Sequence, residues 1–236
     1  MKKSLFRWLF YLLGMVLLAT GLTLNTKTGL GVSAIVGIPY VVSVLWDLPF
    51  GDTTLVLYVL FIALQLLVHW RLYRGEKAVL RKMFLLDVLQ LPLSLLFTRL
   101  MNGISLWFPD MAAICPQNLA VNLTARLLLL LLAVVLTGIG AAMTLNMRLV
   151  PNPGDGLVQT LAQWRKRPTG SMKNLVDALC VVLMLLLALL FEGRIIGIGL
   201  GTVIAAVGIG RVIHLFEKRC KRSLRALAGL GESQLG

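Results

Sequence analysis

Charge is scarce in this chain. Only 14% of its 236 residues are Asp, Glu, Lys or Arg, and just ten are acidic; a soluble domain carries about 25% charged residues. With 58% apolar residues and a mean hydropathy of +0.87, that scarcity excludes an ordinary soluble domain. Cysteine is also rare. Cys115, Cys180 and Cys220 show no metal-ligand spacing, so neither a disulfide framework nor a metal site is expected. The two histidines, His69 and His214, each fall near the end of an apolar run, and neither is read as catalytic. No His and carboxylate pair at helical spacing, and there is no Walker-type loop, nucleophile elbow or Cys/His cluster. No enzyme activity and no cofactor are expected. The net charge of +13 does not indicate nucleic acid, because the 23 Lys and Arg sit at the ends of apolar runs rather than in an aromatic-interleaved basic domain.

What the chain has in abundance is apolar runs of bilayer length. A stretch of about 20 apolar residues crosses a membrane. Such runs place spans near Trp8–Leu24, Thr53–Trp70, Met83–Met101, Leu127–Leu145, Leu175–Phe191 and Ile195–Phe216. The opening Met1-Lys2-Lys3 before an apolar run imitates a signal peptide, but an equivalent run recurs mid-chain, so the first run is read as a span. Two further apolar segments, Gly29–Trp46 and Pro151–Trp164, are not assigned as crossings. With six crossings, 19 basic residues share one side, among them Lys2, Arg74, Lys82, Arg148, Arg165 and Arg222, against Lys27, Arg99, Arg126 and Arg194 on the other. The positive-inside rule then puts both termini in the cytoplasm. A lipid bilayer is the first partner expected.

The chain also resembles itself. Thr23-Leu24-Asn25 is echoed by Thr144-Leu145-Asn146 at an offset of 121, and Pro49-Phe50-Gly51 by Pro168-Thr169-Gly170 at 119. Both halves run span, short segment, span, span. Three crossings per half turn the second half upside down, giving the expected fold class: an all-α membrane protein of two inverted three-helix repeats, each with a short re-entrant or interfacial helix. The first repeat covers residues 1–124, with an outer loop at 102–124. The second covers 125–217, and a basic cytoplasmic tail follows at 218–236.

The short segments start as helices should. Asn152 is a good N-cap, Pro153 suits the first helical position, and Asp155 lies in the first turn, where a carboxylate favours free N–H groups. Ser33 is the matching cap in the first half, and Gly29, Gly31, Gly154 and Gly156 permit tight turns. A re-entrant helix of this kind would present N–H donors to a cavity, which suits an anion or the acceptor end of a polar solute. Pro151–Trp164, followed by Arg165-Lys166-Arg167, reads equally well as a helix lying on the membrane surface. From Ser33 to Leu45 there is no charge, which favours insertion for the first segment.

At these residues the chain resembles the YczE/YyaS/YitT family of bacterial integral membrane proteins, its YczE branch most of all. Leu149, Pro153, Asp155, Gly156 and Leu157 match that family's second-half pattern, and Gly197-Ile198-Gly199-Leu200-Gly201-Thr202 its entry to a last span. The first half keeps Leu30 and Gly31 but has Ala34, Ile35 and Val36 where a Pro-Trp-Asp usually stands. The resemblance implies a bacterial cytoplasmic-membrane protein and names no substrate.

The function expected is binding or transport of a small polar or anionic solute between the repeats. Gly31, Ser33, Asn152, Asp155 and Gly156 are the first candidates, with Asn25, Asn146, Asp87 and Thr202 as further contacts. Asp87 and Asp177 read more readily as helix-start carboxylates near the cytoplasmic boundary, although Gln90 shares a face with Asp87 just before Pro92. The rival readings are a substrate-binding subunit of a larger transporter and a membrane regulator or scaffold. The partners would then be another membrane protein or a second copy of the chain.

Overall fold

A computed structural model describes residues 2–111 and 119–230; Cys115, part of the expected outer loop and the last six residues of the basic tail lie outside them. The described residues form eight helices and no strand: α1 Lys2–Lys27, α2 Ala34–Trp46, α3 Phe50–Tyr73, α4 Lys77–Trp107, α5 Leu119–Met147, α6 Pro153–Arg165, α7 Thr169–Glu192 and α8 Leu200–Leu227. Six are long and apolar enough to cross a bilayer, and α2 and α6 are the two short ones. Large apolar side chains such as Val56, Leu60 and Leu67 on α3 and Leu128 and Leu131 on α5 are exposed, a costly pattern in water and the ordinary one in hydrocarbon. The chain is an integral, multi-pass membrane protein.

The expected spans agree with the helices except at the last start. Ile195 was expected to open the sixth span, but α8 begins at Leu200. Gly193 and Gly197, at φ 64° and 75°, keep the preceding residues out of a helix.

The helices gather into two compact units. The first holds α1, α5 and α8. Here α1 and α5 run antiparallel at backbone contact. A Cβ on Gly21 would strike the Thr137 amide and the Ala133 carbonyl, and one on Gly140 would strike the Leu18 amide and the Gly14 carbonyl. Close approach of this kind is what holds helices together in lipid, where apolar burial alone gives no net drive. Each end of the pair is clasped by an arginine. Arg7 donates from Nε to the Met147 carbonyl at 2.7 Å and from Nη2 to the Arg148 carbonyl at 2.7 Å. Arg126 does the same to Thr28 at 2.6 Å and Gly29 at 2.7 Å. Both supply donors to helix-end carbonyls that have no partner within their own helix. Helix α8 lies parallel to α5 over Leu130, Val134 and Ala205, with Gly208 against Val134 and Gly138 against Val212.

The second unit holds α2, α3, most of α4, α6 and α7. Helix α6 lies alongside α3 rather than across its end. Asn152 meets the Tyr58 hydroxyl, the Pro153 carbonyl takes a hydrogen bond from Gln65, and Gln163 Nε2 donates to the Tyr73 hydroxyl. The N-terminus of α6 is therefore level with the middle of α3. Pro153, Gly154, Gly156, Leu157, Val158, Thr160 and Ala162 are buried along it. The segment thus lies along the side of a span rather than against its end. Helix α2 meets α7 in the same way, with Gly37 facing the Met184 sulfur near the middle of α7.

Candidate functional site

The sequence dictates a polar stripe on α3. Tyr58, Gln65, His69 and Tyr73 recur at helical spacing along one face, about 22 Å of helix rise. Tyr58, Gln65 and His69 are buried, as are Asp87 and Gln90 on α4 and Thr160 on α6. Buried polar groups in a membrane helix must find partners within the protein, and these find one another. His69 Nδ1 lies 2.6 Å from Asp87 Oδ2, and its Nε2 lies 3.2 Å from the Thr160 hydroxyl. Gln90 Nε2 donates to Asp87 Oδ1 at 3.4 Å. The amides of Gln65 and Gln90 close on each other, Nε2 to Oε1, at 3.2 and 3.0 Å. Gln65 Nε2 also reaches the Pro153 carbonyl at 3.2 Å, which joins the stripe to the start of α6.

That start is built as its residues require. Asn152 caps α6, its Oδ1 accepting from the Gly154 N–H at 3.2 Å, and Pro153 occupies the first turn. Gly156 lies against the ends of two glutamines: a Cβ there would press on Gln65 Oε1 and Gln90 Nε2 and push those amides aside. Asp155, on the short helix outside the six spans, has its carboxyl raised above the ordinary carboxylate range by burial; the Lys173 ammonium opposes the shift and the Asp177 carboxylate adds to it. Among the described residues no group of three or more His, Cys, Asp or Glu side chains gathers as a metal ion would need.

A second seam provides an internal control. Residue pairs 119 apart occupy matching places in α2, α3, α6 and α7 and at the two arginine clasps, though most of α4 falls in one unit and its counterpart α8 in the other. Helices α2 and α3 begin and end exactly that far before α6 and α7. The positive-φ residues Asp47 and Lys166 match, as do Gly29 and Arg148. The clasp of Arg7 on Met147 and Arg148 matches that of Arg126 on Thr28 and Gly29. Under this correspondence Gly156 against Gln65 becomes Gly37 against Met184. His69 becomes Ala188 and Thr160 becomes Val41, and Met184, Ala188 and Val41 are all fully buried. The same backbone geometry is thus packed with apolar residues at one seam and with a hydrogen-bonded polar cluster at the other.

Comparison with known proteins adds family membership and nothing on chemistry. Residues 5–218 match the family described as a family of unknown function, DUF6198. The chain belongs to that family. No curated protein and no solved structure matches it.

Of the residues singled out from sequence in this DUF6198 member, Asn152, Asp155, Gly156 and Asp87 all lie in the second unit, at or beside the cluster. The others do not join it. Gly31, at φ 117°, lets residues 30–31 lie against the start of α8, where the Gly201 N–H donates to the Leu30 carbonyl at 2.8 Å. The Thr202 hydroxyl accepts from the Gly199 N–H at 3.3 Å, so this pair serves the turn into α8. Ser33 directly precedes α2 and is partly buried. Asn25 is buried in the first unit with neither side-chain polar atom hydrogen-bonded. Asn146 donates to the Ala142 carbonyl and, at 3.0 Å, to Glu217. The two asparagines do not correspond under the 119-residue relation, which pairs Asn25 with Thr144 and Asn146 with Lys27.

Sequence reasoning missed Gln65, His69 and Thr160. His69 was read as interfacial, yet it is only 6% exposed and lies one turn from Gln65. That i, i+4 pair inside an apolar run, set against Asp87 and Gln90 at i, i+3, was the available signal.

Proposed function

We propose that the protein binds and passes a small polar solute along the seam of α3, α4 and α6, where its two sequence halves meet within one compact unit. One observation carries the reading. The matching pairing of α2 with α7 has Met184, Ala188 and Val41 at the places of Gln65, His69 and Thr160, so that backbone pairing does not require polar residues at those three places. Intramembrane ionisable residues are costly and default to function. Two acidic side chains, Asp87 and Asp155, beside amides and a hydroxyl suit a neutral or protonatable molecule with hydrogen-bonding edges better than an anion.

The repeat reading supports this function. Matching helix ends, matching positive-φ residues and two reciprocal arginine clasps favour two halves of common architecture, which six crossings would place in opposite orientations. The termini are read as cytoplasmic. In agreement, the four cations assigned to the sparse side are all engaged: Lys27 with Asp110 at 3.3 Å, Arg99 with Asp52 at 2.9 Å, Arg194 with Glu192 at 3.2 Å, and Arg126 on backbone carbonyls. The YczE-like resemblance points to the bacterial cytoplasmic membrane. External thiol labelling should reach a cysteine placed near Asp110 and spare one near Glu76; the reverse pattern would invert the topology.

The functional test is uptake by purified protein in liposomes against an isotope-labelled panel of amino acids, sugars and nucleobases. Uptake above protein-free vesicles, lost in the Gln65→Met/Gln90→Ile double variant, is expected. Full uptake in that variant would remove the seam as the route.

A further inference from the structure

Resting on the same seam, we infer that His69 and Asp87 form a proton-binding site whose occupancy is transmitted to both sides of the seam. The pair is closed to water, with His69 and Asp87 only 6% and 2% exposed. Its 2.6 Å contact has one chemical reading with Asp87 ionised: the Nδ1–H of His69 donates to Oδ2. That fixes the tautomer and leaves Nε2 as the atom that gains or loses a proton. With Nε2 bare, the Thr160 hydroxyl donates to it across 3.2 Å; with Nε2 protonated, the same hydroxyl must accept. Uptake of one proton from the aqueous phase changes the net charge of the pair from minus one to zero and reverses that hydrogen bond, with no other bond made or broken.

The reversal reaches two elements. Thr160 is on α6, whose start carries Asn152 and Pro153, and Asp87 accepts from Gln90, whose amide is locked to Gln65. The other groups facing His69 are few. Tyr73, on the same helix, places its ring 6.1 Å away and bonds through its hydroxyl to Gln163 of α6. Asp87 is the charged group from α4, and α6 presents the uncharged Thr160. The carboxylate of Asp155 lies a turn and more along α6, beside Lys173 and Asp177 of α7. Among the described residues no Lys or Arg bonds to either member of the pair, whose polar partners are Gln90 and Thr160.

The test needs no solute. The chain has two histidines, so a His214→Ala background leaves a single imidazole for nitrogen-15 NMR of the full-length protein in nanodiscs. Between pH 9 and pH 5 the His69 Nε2 resonance should move from the unprotonated to the protonated position while Nδ1 stays protonated. Asp87→Asn, nearly isosteric, should lower the proton affinity of Nε2 at least tenfold. Thr160→Val should leave the titration in place and shift only the Nε2 line. An Nε2 signal that never changes across this range would overturn the inference, as would a titration unmoved by Asp87→Asn. Failure of the uptake screen with this titration intact would overturn only the solute reading.

Discussion

Replacing Gln65 by Met and Gln90 by Ile, singly and together, separates what the seam needs to fold from what it needs to work. Met is the residue found 119 positions on from Gln65, at Met184 in the matching pairing of α2 with α7, and Ile is an apolar residue of similar size to Gln. Each glutamine satisfies the other: Gln65 Oε1 accepts from Gln90 at 3.0 Å, and Gln90 Oε1 accepts from Gln65 at 3.2 Å. Removing Gln90 leaves Gln65 Oε1 without a donor, while Gln65 Nε2 keeps the Pro153 carbonyl. Removing Gln65 leaves Gln90 Oε1 without a donor and its Nε2 with only the long 3.4 Å contact to Asp87. Stranding a buried amide atom costs about 1–3 kcal/mol, whereas replacing both partners with apolar groups of similar shape is close to neutral. Each single variant should therefore lose about 1–3 kcal/mol and the double variant less than either, so that the coupling exceeds the larger single loss.

The assay is reversible unfolding of the purified protein in mixed micelles, run in parallel with the uptake screen. The singles should unfold first, the double close to wild type, and the double should carry no solute. Additive losses would refute the closed amide pair. Near-neutral singles would mean that water already reaches these amides, contrary to their 1% exposure.

The arginine clasps should prove equivalent. Arg7→Gln and Arg126→Gln each strip two charge-assisted bonds from a helix end and should cost about 1–2 kcal/mol apiece in the same unfolding assay, water replacing part of the loss at these half-exposed sites; a large loss at one and none at the other would contradict the 119-residue correspondence. Gly156→Ala pushes a methyl group into Gln65 and Gln90 and should cost about 1–3 kcal/mol by overpacking, with the loss reduced in the Gln65→Met background, where a flexible thioether faces the new methyl. An equal loss in both backgrounds would place the clash elsewhere. The raised carboxyl of Asp155 binds its proton more tightly in the folded than in the unfolded state. Its contribution is fully present below the ordinary carboxylate range and is lost as the pH climbs from that range through the raised one. Asp155→Asn should flatten that slope and keep the Asn152 cap; an unchanged slope would assign it to another group.

The architecture was legible because lipid simplifies the code. A run of apolar residues long enough to cross a bilayer has few alternatives, so the six spans follow from composition, and Asn152-Pro153 with Asp155 announces the start of α6 through cap chemistry alone. The cluster was hidden for an equally physical reason. His69 and Asp87 are 18 residues apart on different helices, and their contact depends on how α3, α4 and α6 pack, which no local spacing encodes. Depth was the other gap. His69 stands four residues before Tyr73, close enough to the basic connection to look interfacial, but α6 runs alongside α3 and covers it. Gly31 and Thr202 carried signals of backbone approach that were real, and their geometry spends them on the turn into α8.

The two seams decide between structural and functional explanations more sharply than burial alone. A buried polar network in an unmatched fold can always be attributed to some unseen requirement of that fold. Here the requirement is visible, because Gly37 against Met184 and Gly156 against Gln65 are one backbone arrangement filled in two ways. The apolar filling shows that the pairing forms without a Gln, a His or a Thr at these three places. Burying polar and ionisable side chains in a membrane carries a desolvation cost that their hydrogen bonds only offset. A chain that carries this cost at one pairing and avoids it at the other gives the reason to look for binding or proton exchange at the polar one, and the uptake and titration experiments are where that reason is tested.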